Sequence, residues 1–225
     1  MSPPRLTALL LVLTITTGVI DAVSVLGLGR VFTANMTGNI VFLGFALAGV
    51  PGFSPLRALA ALAAFLVGAV IGGRLGTRLD GSRRRWLFTV AAVESSVLFA
   101  AALAARGYDS ETLAPVARLY ALIALTAVAM GIRNATVRRL AVPDLTTTVL
   151  TLTLTGLGAD SRLAGGNNPR WGRRVASVAA MLGGAIVGAM LVLSVGLAWP
   201  LALVGAVTLL ATLAYVAHPA AAAGT

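Results

Sequence analysis

Two carboxylates sit inside long apolar stretches of this sequence, Asp21 within residues 6–29 and Glu94 within residues 86–105. A charge at the centre of a bilayer costs roughly 2.5–3.5 kcal/mol on insertion scales, so such a residue faces the protein interior and takes a partner. The candidate partners of Asp21 are Arg133 and Asn134. Asp21 could then form one side of a solute or proton site. A structural ion pair, or a hydrogen bond to helix backbone, would satisfy it equally. Glu94 could carry a proton, but a neutral, hydrogen-bonded acid in a helix interface accounts for it more simply.

Thr33, Asn35, Thr37, Gly38 and Asn39 form the sharpest polar cluster. Thr and Asn supply donors and acceptors, and Gly permits close backbone approach. A half-helix starting near Thr37 would aim free amides at a cavity, an arrangement that attracts anions or carboxylates. The plainer reading is an N-cap that closes a turn. Thr147, Thr151 and Thr155 share one helical face by their four-residue spacing and, with Thr153, could line a polar path. Their hydroxyls could as well bond back to their own helix carbonyls. Asn35-Met36-Thr37 fits the glycosylation sequon, which at membrane depth is a chance match.

Enzyme chemistry finds no such footing. Cys is absent, which excludes disulfides and thiolate catalysis, and His218 is the one His. There is no HExxH metal motif, no GxGD aspartate pair and no GxxxxGK phosphate loop. The expectation is a protein that is not an enzyme and uses neither metal nor cofactor.

The elements that must position these residues follow from composition. Of 225 residues, 58% are hydrophobic and 11% charged, with a mean hydropathy of +0.95. Soluble domains carry about 25% charged residues, so this chain cannot cover a water-facing surface and is an integral membrane protein. Net charge is +10 and all 17 basic residues are Arg, an excess that reads as membrane orientation and not as nucleic-acid binding. Crossing a bilayer takes about 20 apolar residues. Eight segments approach that length: 6–29, 31–50, 56–75, 86–105, 113–137, 140–158, 175–197 and 199–217. The second and sixth are polar at their starts. The first could imitate a secretory signal, but it has an internal copy that a cleaved peptide would not need.

That copy is part of a duplication. Gly18, Asp21 and Ala22 align with Gly131, Asn134 and Ala135 at an offset of 113, and Thr33, Thr37, Leu43 and Gly44 with Thr147, Thr151, Leu157 and Gly158 at 114. Gly68 and Gly72 align with Gly184 and Gly188 at 116, and Trp86 with Trp199 at 113. The chain divides into halves 6–105 and 113–217 of a single membrane domain. If all eight segments cross, arginines fall evenly on both sides. If segments two and six enter and return on one side, the inner side holds Arg5, Arg74, Arg78, Arg83, Arg84, Arg85, Arg133, Arg138, Arg139, Arg162, Arg170, Arg173 and Arg174. The outer side then keeps Arg30, Arg57, Arg106 and Arg118. The positive-inside rule favours the second arrangement. The predicted fold is therefore all-α, with about six transmembrane helices, two polar re-entrant or broken segments and an inverted internal repeat. Both termini lie in the cytoplasm. Gly68, Gly72, Gly184 and Gly188 form small-residue ladders that let helices approach, joining the halves or making a homodimer contact.

Gly18-x-x-Asp21-Ala22, followed by Phe32-Thr33-Ala34-Asn35-Met36-Thr37-Gly38-Asn39, resembles the signature of the YoaK-type family of bacterial membrane proteins. The pattern Gly131-x-x-Asn134-Ala135, then Thr146-Thr147-Thr148-Val149-Leu150-Thr151, is similar to the family's second-half motif. The resemblance covers nearly the whole chain and implies about six membrane helices in a bacterial inner membrane, with no established activity. It departs from the family at Arg133, where the family has Gln, and at Leu152, where Gly is common; both weaken a carried-over site in the second half. The expected function is a secondary transporter or channel for a small polar solute, with an anion favoured over a cation. Asp21, Thr33, Asn35, Thr37, Gly38 and Asn39 would meet Arg133, Asn134, Thr147 and Thr151 near the midplane. The rival expectation is a non-transporting scaffold or assembly protein.

Overall fold

The computed structural model describes residues 4–142, 145 and 150–218. Among these the chain is helical: α1 (Pro4–Gly27), α2 (Met36–Leu47), α3 (Pro55–Arg78), α4 (Arg83–Ala104), α5 (Val116–Leu140), α6 (Thr151–Ala159), α7 (Trp171–Val195) and α8 (Ala198–Ala217), with a 3-10 turn at Arg162–Ala164. Six of them, α1, α3, α4, α5, α7 and α8, are long and apolar enough to cross a membrane. The 12 residues of α2 and the nine of α6 are not.

The starts are written locally. Ser54 caps α3 by accepting from the Arg57 amide, with Pro55 at the first helical position, and Ser82 caps α4 by accepting from the Arg85 amide. The polar stretch 31–35 stays non-helical, so the apolar segment predicted over 31–50 yields helix only from Met36. The segment predicted over 140–158 yields helix only from Thr151.

Among the described residues, the main packed pairs of α-helices have counterparts when the two halves are exchanged. α1 packs on α7 and α3 on α5; α1 packs on α8 and α4 on α5; α2 packs on α3 and α6 on α7; α4 and α8 pack on each other. The closest approaches are made at glycine. A Cβ on Gly68 would strike the Val128 carbonyl of α5, and one on Gly184 would strike the Ile15 carbonyl of α1. Gly72 faces Ile132 and Ala135, as Gly188 faces Val19 and Ala22. These ladders join the halves within the chain. The faces of Gly68, Gly72, Gly184 and Gly188 are thus covered by α5 and α1 of the same chain.

One end of the bundle gathers the start of α1, the α3–α4 turn and the ends of α5 and α8. There Arg84 Nε donates to the Val216 carbonyl at 2.6 Å, Arg139 pairs with Asp80, and the Arg139 guanidinium lies 5.6 Å from the Trp86 ring. The opposite end holds the C-terminus of α1, where Tyr108 donates to the Gly27 carbonyl at 2.9 Å. The α3 and α7 spans are only 22% and 17% buried, which makes them the outermost of the six. Two apolar clusters fill the interior. Ile20, Val23, Leu98, Leu122, Ile123 and Leu201 belong to the one nearer the Tyr108 end; Leu9, Leu13, Trp86, Leu87, Val137 and Tyr215 belong to the other.

Candidate functional site

Between the two apolar clusters lies a buried polar knot. Arg133 of α5 is 1% exposed and Glu94 of α4 is 3% exposed. Arg133 donates to Glu94 Oε1 from Nε at 2.8 Å and from Nη2 at 2.5 Å. Its Nη2 also donates to Thr208 Oγ1 of α8 at 2.9 Å. Its Nη1 donates to α1, to Thr16 Oγ1 at 2.8 Å, Thr17 Oγ1 at 3.0 Å and the Leu13 carbonyl at 3.1 Å. A guanidinium has five N–H donors, and every nitrogen here is engaged. Thr16 and Thr17 can accept from Arg133 because each sends its own proton to the Leu13 carbonyl, at 2.9 Å in both cases. One cation thus ties four spanning helices from both halves together.

A cavity of about 20 Å³ adjoins the knot, lined by Glu94, Arg133, Thr136, Thr208 and Thr212 among apolar neighbours. That is room for roughly one water. Its remaining walls, among them Leu9, Leu87, Val137 and Leu140, lie toward the arginine-rich end.

Asp21 stands apart from this knot, and the expected partnership with Arg133 is corrected. Asp21 lies in the C-terminal half of α1, whose last residue, Gly27, meets Tyr108, whereas Arg133 and Asn134 lie in the C-terminal half of α5, which points to the opposite end. The sequence match that suggested the pairing relates equivalent positions on different helices, and those positions sit at different depths. Asp21 Oδ1 is buried with no hydrogen-bond partner. Asn134 Nδ2 donates to the Met130 carbonyl at 2.8 Å.

The cluster before α2 resolves into parts. Asn35 is the N-cap, its side chain accepting from the Gly38 amide at 3.4 Å. Buried Asn39 closes the turn, accepting from the Phe32 amide at 2.9 Å and donating to the Phe32 carbonyl at 2.5 Å. These two are the plainer, structural alternative. Thr33 Oγ1 is fully buried without a partner, and Thr37 is exposed. Val31 and Ala34, which flank Thr33, share one apolar cluster with Ile20 and Val23, which flank Asp21. In the second half, Thr151 is exposed and its carbonyl accepts from Thr155 Oγ1 at 2.9 Å, the local back-bond. Thr147 lies outside the described residues. At the Tyr108 end, burial pushes the Tyr108 hydroxyl up to about 12, against the opposing pull of the Arg57 cation.

The Glu94–Arg133 pair and its ring of Thr16, Thr17 and Thr208 escaped sequence reasoning. The signal was present as two opposite charges stranded in apolar spans. Among the described residues, no three of His, Cys, Asp and Glu come together to hold a metal.

Comparison with known proteins agrees with this membrane architecture. The chain is 35% identical over 157 residues to the UPF0700 transmembrane protein YoaK of Bacillus subtilis (strain 168). The match covers 68% of this chain and 65% of that protein. No solved structure matches. The family model described as "Protein of unknown function (DUF1275)" matches residues 9–214. With six spanning helices, a relative of this similarity and a family match over nearly its whole length, the chain is a multi-pass membrane protein of the DUF1275 family.

Proposed function

We propose that the protein is a secondary transporter or channel for a small polar solute, with an anionic solute favoured, and that it is not an enzyme. It would sit in a bacterial inner membrane with both termini in the cytoplasm. Its halves would form an inverted repeat of three crossings each. α2 and α6, with their polar leaders, would be the re-entrant segments that build the solute path.

One observation carries this reading: Asp21 Oδ1 and Thr33 Oγ1 are both buried without a partner. Unmet polar atoms at membrane depth are costly, and their retention marks a place for something the chain itself does not supply. The exchange symmetry of the helix packing supports the repeat, and helices too short to cross support the broken segments. Asn35, Gly38 and Asn39 would shape the site, while Thr37, Asn134, Thr147 and Thr151 would line its approaches. Arg133 would act from the central knot.

The test has two arms. Single cysteines at Ser2 and Ser82, in a chain without native Cys, are labelled in intact cells with an impermeant thiol reagent. Protection of both, with labelling restored on lysis, is the outcome expected for three crossings in the first half. Uptake is then compared for wild type, Asp21→Asn and Thr37→Val. Folded variants that leave every uptake phenotype unchanged would sink the site and raise the rival reading, a non-transporting scaffold.

A further inference from the structure

We propose that the Glu94–Arg133 knot is a proton-gated anion site, loaded from the arginine-rich end of the bundle. The ligand class is a small monovalent anion that replaces the Glu94 carboxylate on Arg133. The solute-moving role rests on the reading above; the binding step does not.

The geometry carries the argument in three parts. First, Arg133 has no donor to spare in this structure, so an anion can reach it only by displacing a present partner. Thr16, Thr17 and Thr208 are neutral, and Leu13 offers a backbone carbonyl held in α1. Glu94 is the one partner whose charge can be cancelled, and it occupies both Nε and Nη2. Second, both bonds fall on Oε1, while Glu94 also lines the cavity. Oε2 is therefore the oxygen open to a water there. Third, the cavity lies on one side of the knot. Leu9, Leu87, Val137 and Leu140 line it on the side of the arginine-rich end, whereas Ile20, Leu98 and Leu201, on the other side, are not among its walls.

The charges balance at each step. With Glu94 ionised the pair is neutral: one carboxylate, one guanidinium. A proton arriving through the cavity adds to Glu94 Oε2 and leaves a neutral acid. The knot then carries one uncompensated positive charge in an apolar interior, which is costly until an anion arrives. The anion takes the two donors vacated by Glu94, a fork that suits two oxygens of a carboxylate or nitrate. Proton plus anion leave the site neutral again. The groups facing Glu94 are few: α5 presents Arg133, α8 presents Thr208 and Thr212, α1 contributes Thr16 and Thr17 through Arg133, and its own helix adds Ser95, which donates to the Gly205 carbonyl. Among the described lining residues, Glu94 and Arg133 are the ionisable ones.

The test uses the purified full-length protein in weakly buffered detergent solution with a pH indicator. Sodium formate, sodium nitrate and sodium chloride are added in turn. The expected result is uptake of about one proton per anion bound, with apparent affinity falling about tenfold per pH unit once Glu94 is ionised. Glu94→Gln, which cannot ionise, should bind the same anion without proton uptake and without that slope. Binding by wild type with no proton uptake at any pH overturns the proposal, as does no binding of any of the three anions at any pH at which the protein stays folded. The wild-type stoichiometry decides even if Glu94→Gln fails to fold. Proton-linked binding in a protein that carries no flux upholds this site and sinks the transporter reading. Flux without proton-linked binding does the reverse.

Discussion

Arg133 places two of its three nitrogens on a single oxygen of Glu94, at 2.8 and 2.5 Å, with both side chains withdrawn from the surface. Breaking a buried pair by removing one partner costs about 3–5 kcal/mol, because the other charge is stranded, whereas an apolar replacement of both is far milder. Glu94→Leu and Arg133→Met should therefore each destabilise by about that amount. The double variant should lose less than either single one. Reversible unfolding in mixed micelles reads all three, and additive losses would contradict the pairing.

The glycine contacts predict a sharp positional contrast. Gly68→Val and Gly184→Val force a side chain onto the Val128 and Ile15 carbonyls, backbone that cannot swing away. Overpacking costs about 1–3 kcal/mol, and more where, as here, backbone is the obstacle. Gly73 and Gly183 have open space where a Cβ would go, so Gly73→Val and Gly183→Val should leave the melting temperature near that of wild type. Detergent-resistant monomer, followed by size-exclusion chromatography after heating, separates the two pairs.

Why some of this was legible and some not is itself physical. Run length marks eight apolar segments, since a bilayer imposes its thickness on every crossing helix, and the polar starts of two of them, with the arginine balance, single out the six long helices. The polar start of 31–50 marks the break before α2, and Asn35 is the kind of residue that caps. The glycine ladders show which faces come close, but not against what; covering α5 and α1 instead of a second copy is a matter of topology. The Glu94–Arg133 pair depends on the rotation of α4 and α5 about their axes, which apolar composition on all sides does not encode. Thr16, Thr17 and Thr208 look like any threonine in a membrane helix until an arginine is placed among them. Asp21 was matched to Asn134 by repeat position, yet positions equivalent by repeat need not be neighbours in space.

Asn39 makes a prediction about the leader of α2. It is the residue that satisfies both the amide and the carbonyl of Phe32. Asn39→Ala leaves two half-buried backbone groups unpaired, each costing up to about 1–3 kcal/mol, the penalty for full burial. Asn35→Ala loses only a long 3.4 Å cap bond, near the low end of about 0.5–2 kcal/mol for such caps. Val31 is 1% exposed, so Val31→Cys in this Cys-free chain reports opening of the turn. Its labelling should accelerate strongly with Asn39→Ala and little with Asn35→Ala; equal rates would assign the turn to some other contact.

Tyr108 gives a prediction in pH. Its hydroxyl, ordinarily near 10, is pushed up to about 12, first by burial, with Arg57 pulling the other way and Asp109 adding to the rise. The protonated phenol is the form that donates to the Gly27 carbonyl. A group whose folded value lies above its unfolded value contributes stability in full below the unfolded value, and loses it as pH climbs to the folded one. The contact between the α4–α5 loop and the end of α1 should therefore hold up to about pH 10 and weaken as pH climbs toward about 12. Ultraviolet titration should show a late phenolate step from Tyr108, and Tyr108→Phe should remove it. The same variant should flatten the alkaline fall in melting temperature. A late step that survives unchanged in Tyr108→Phe would detach both it and the alkaline sensitivity from this contact.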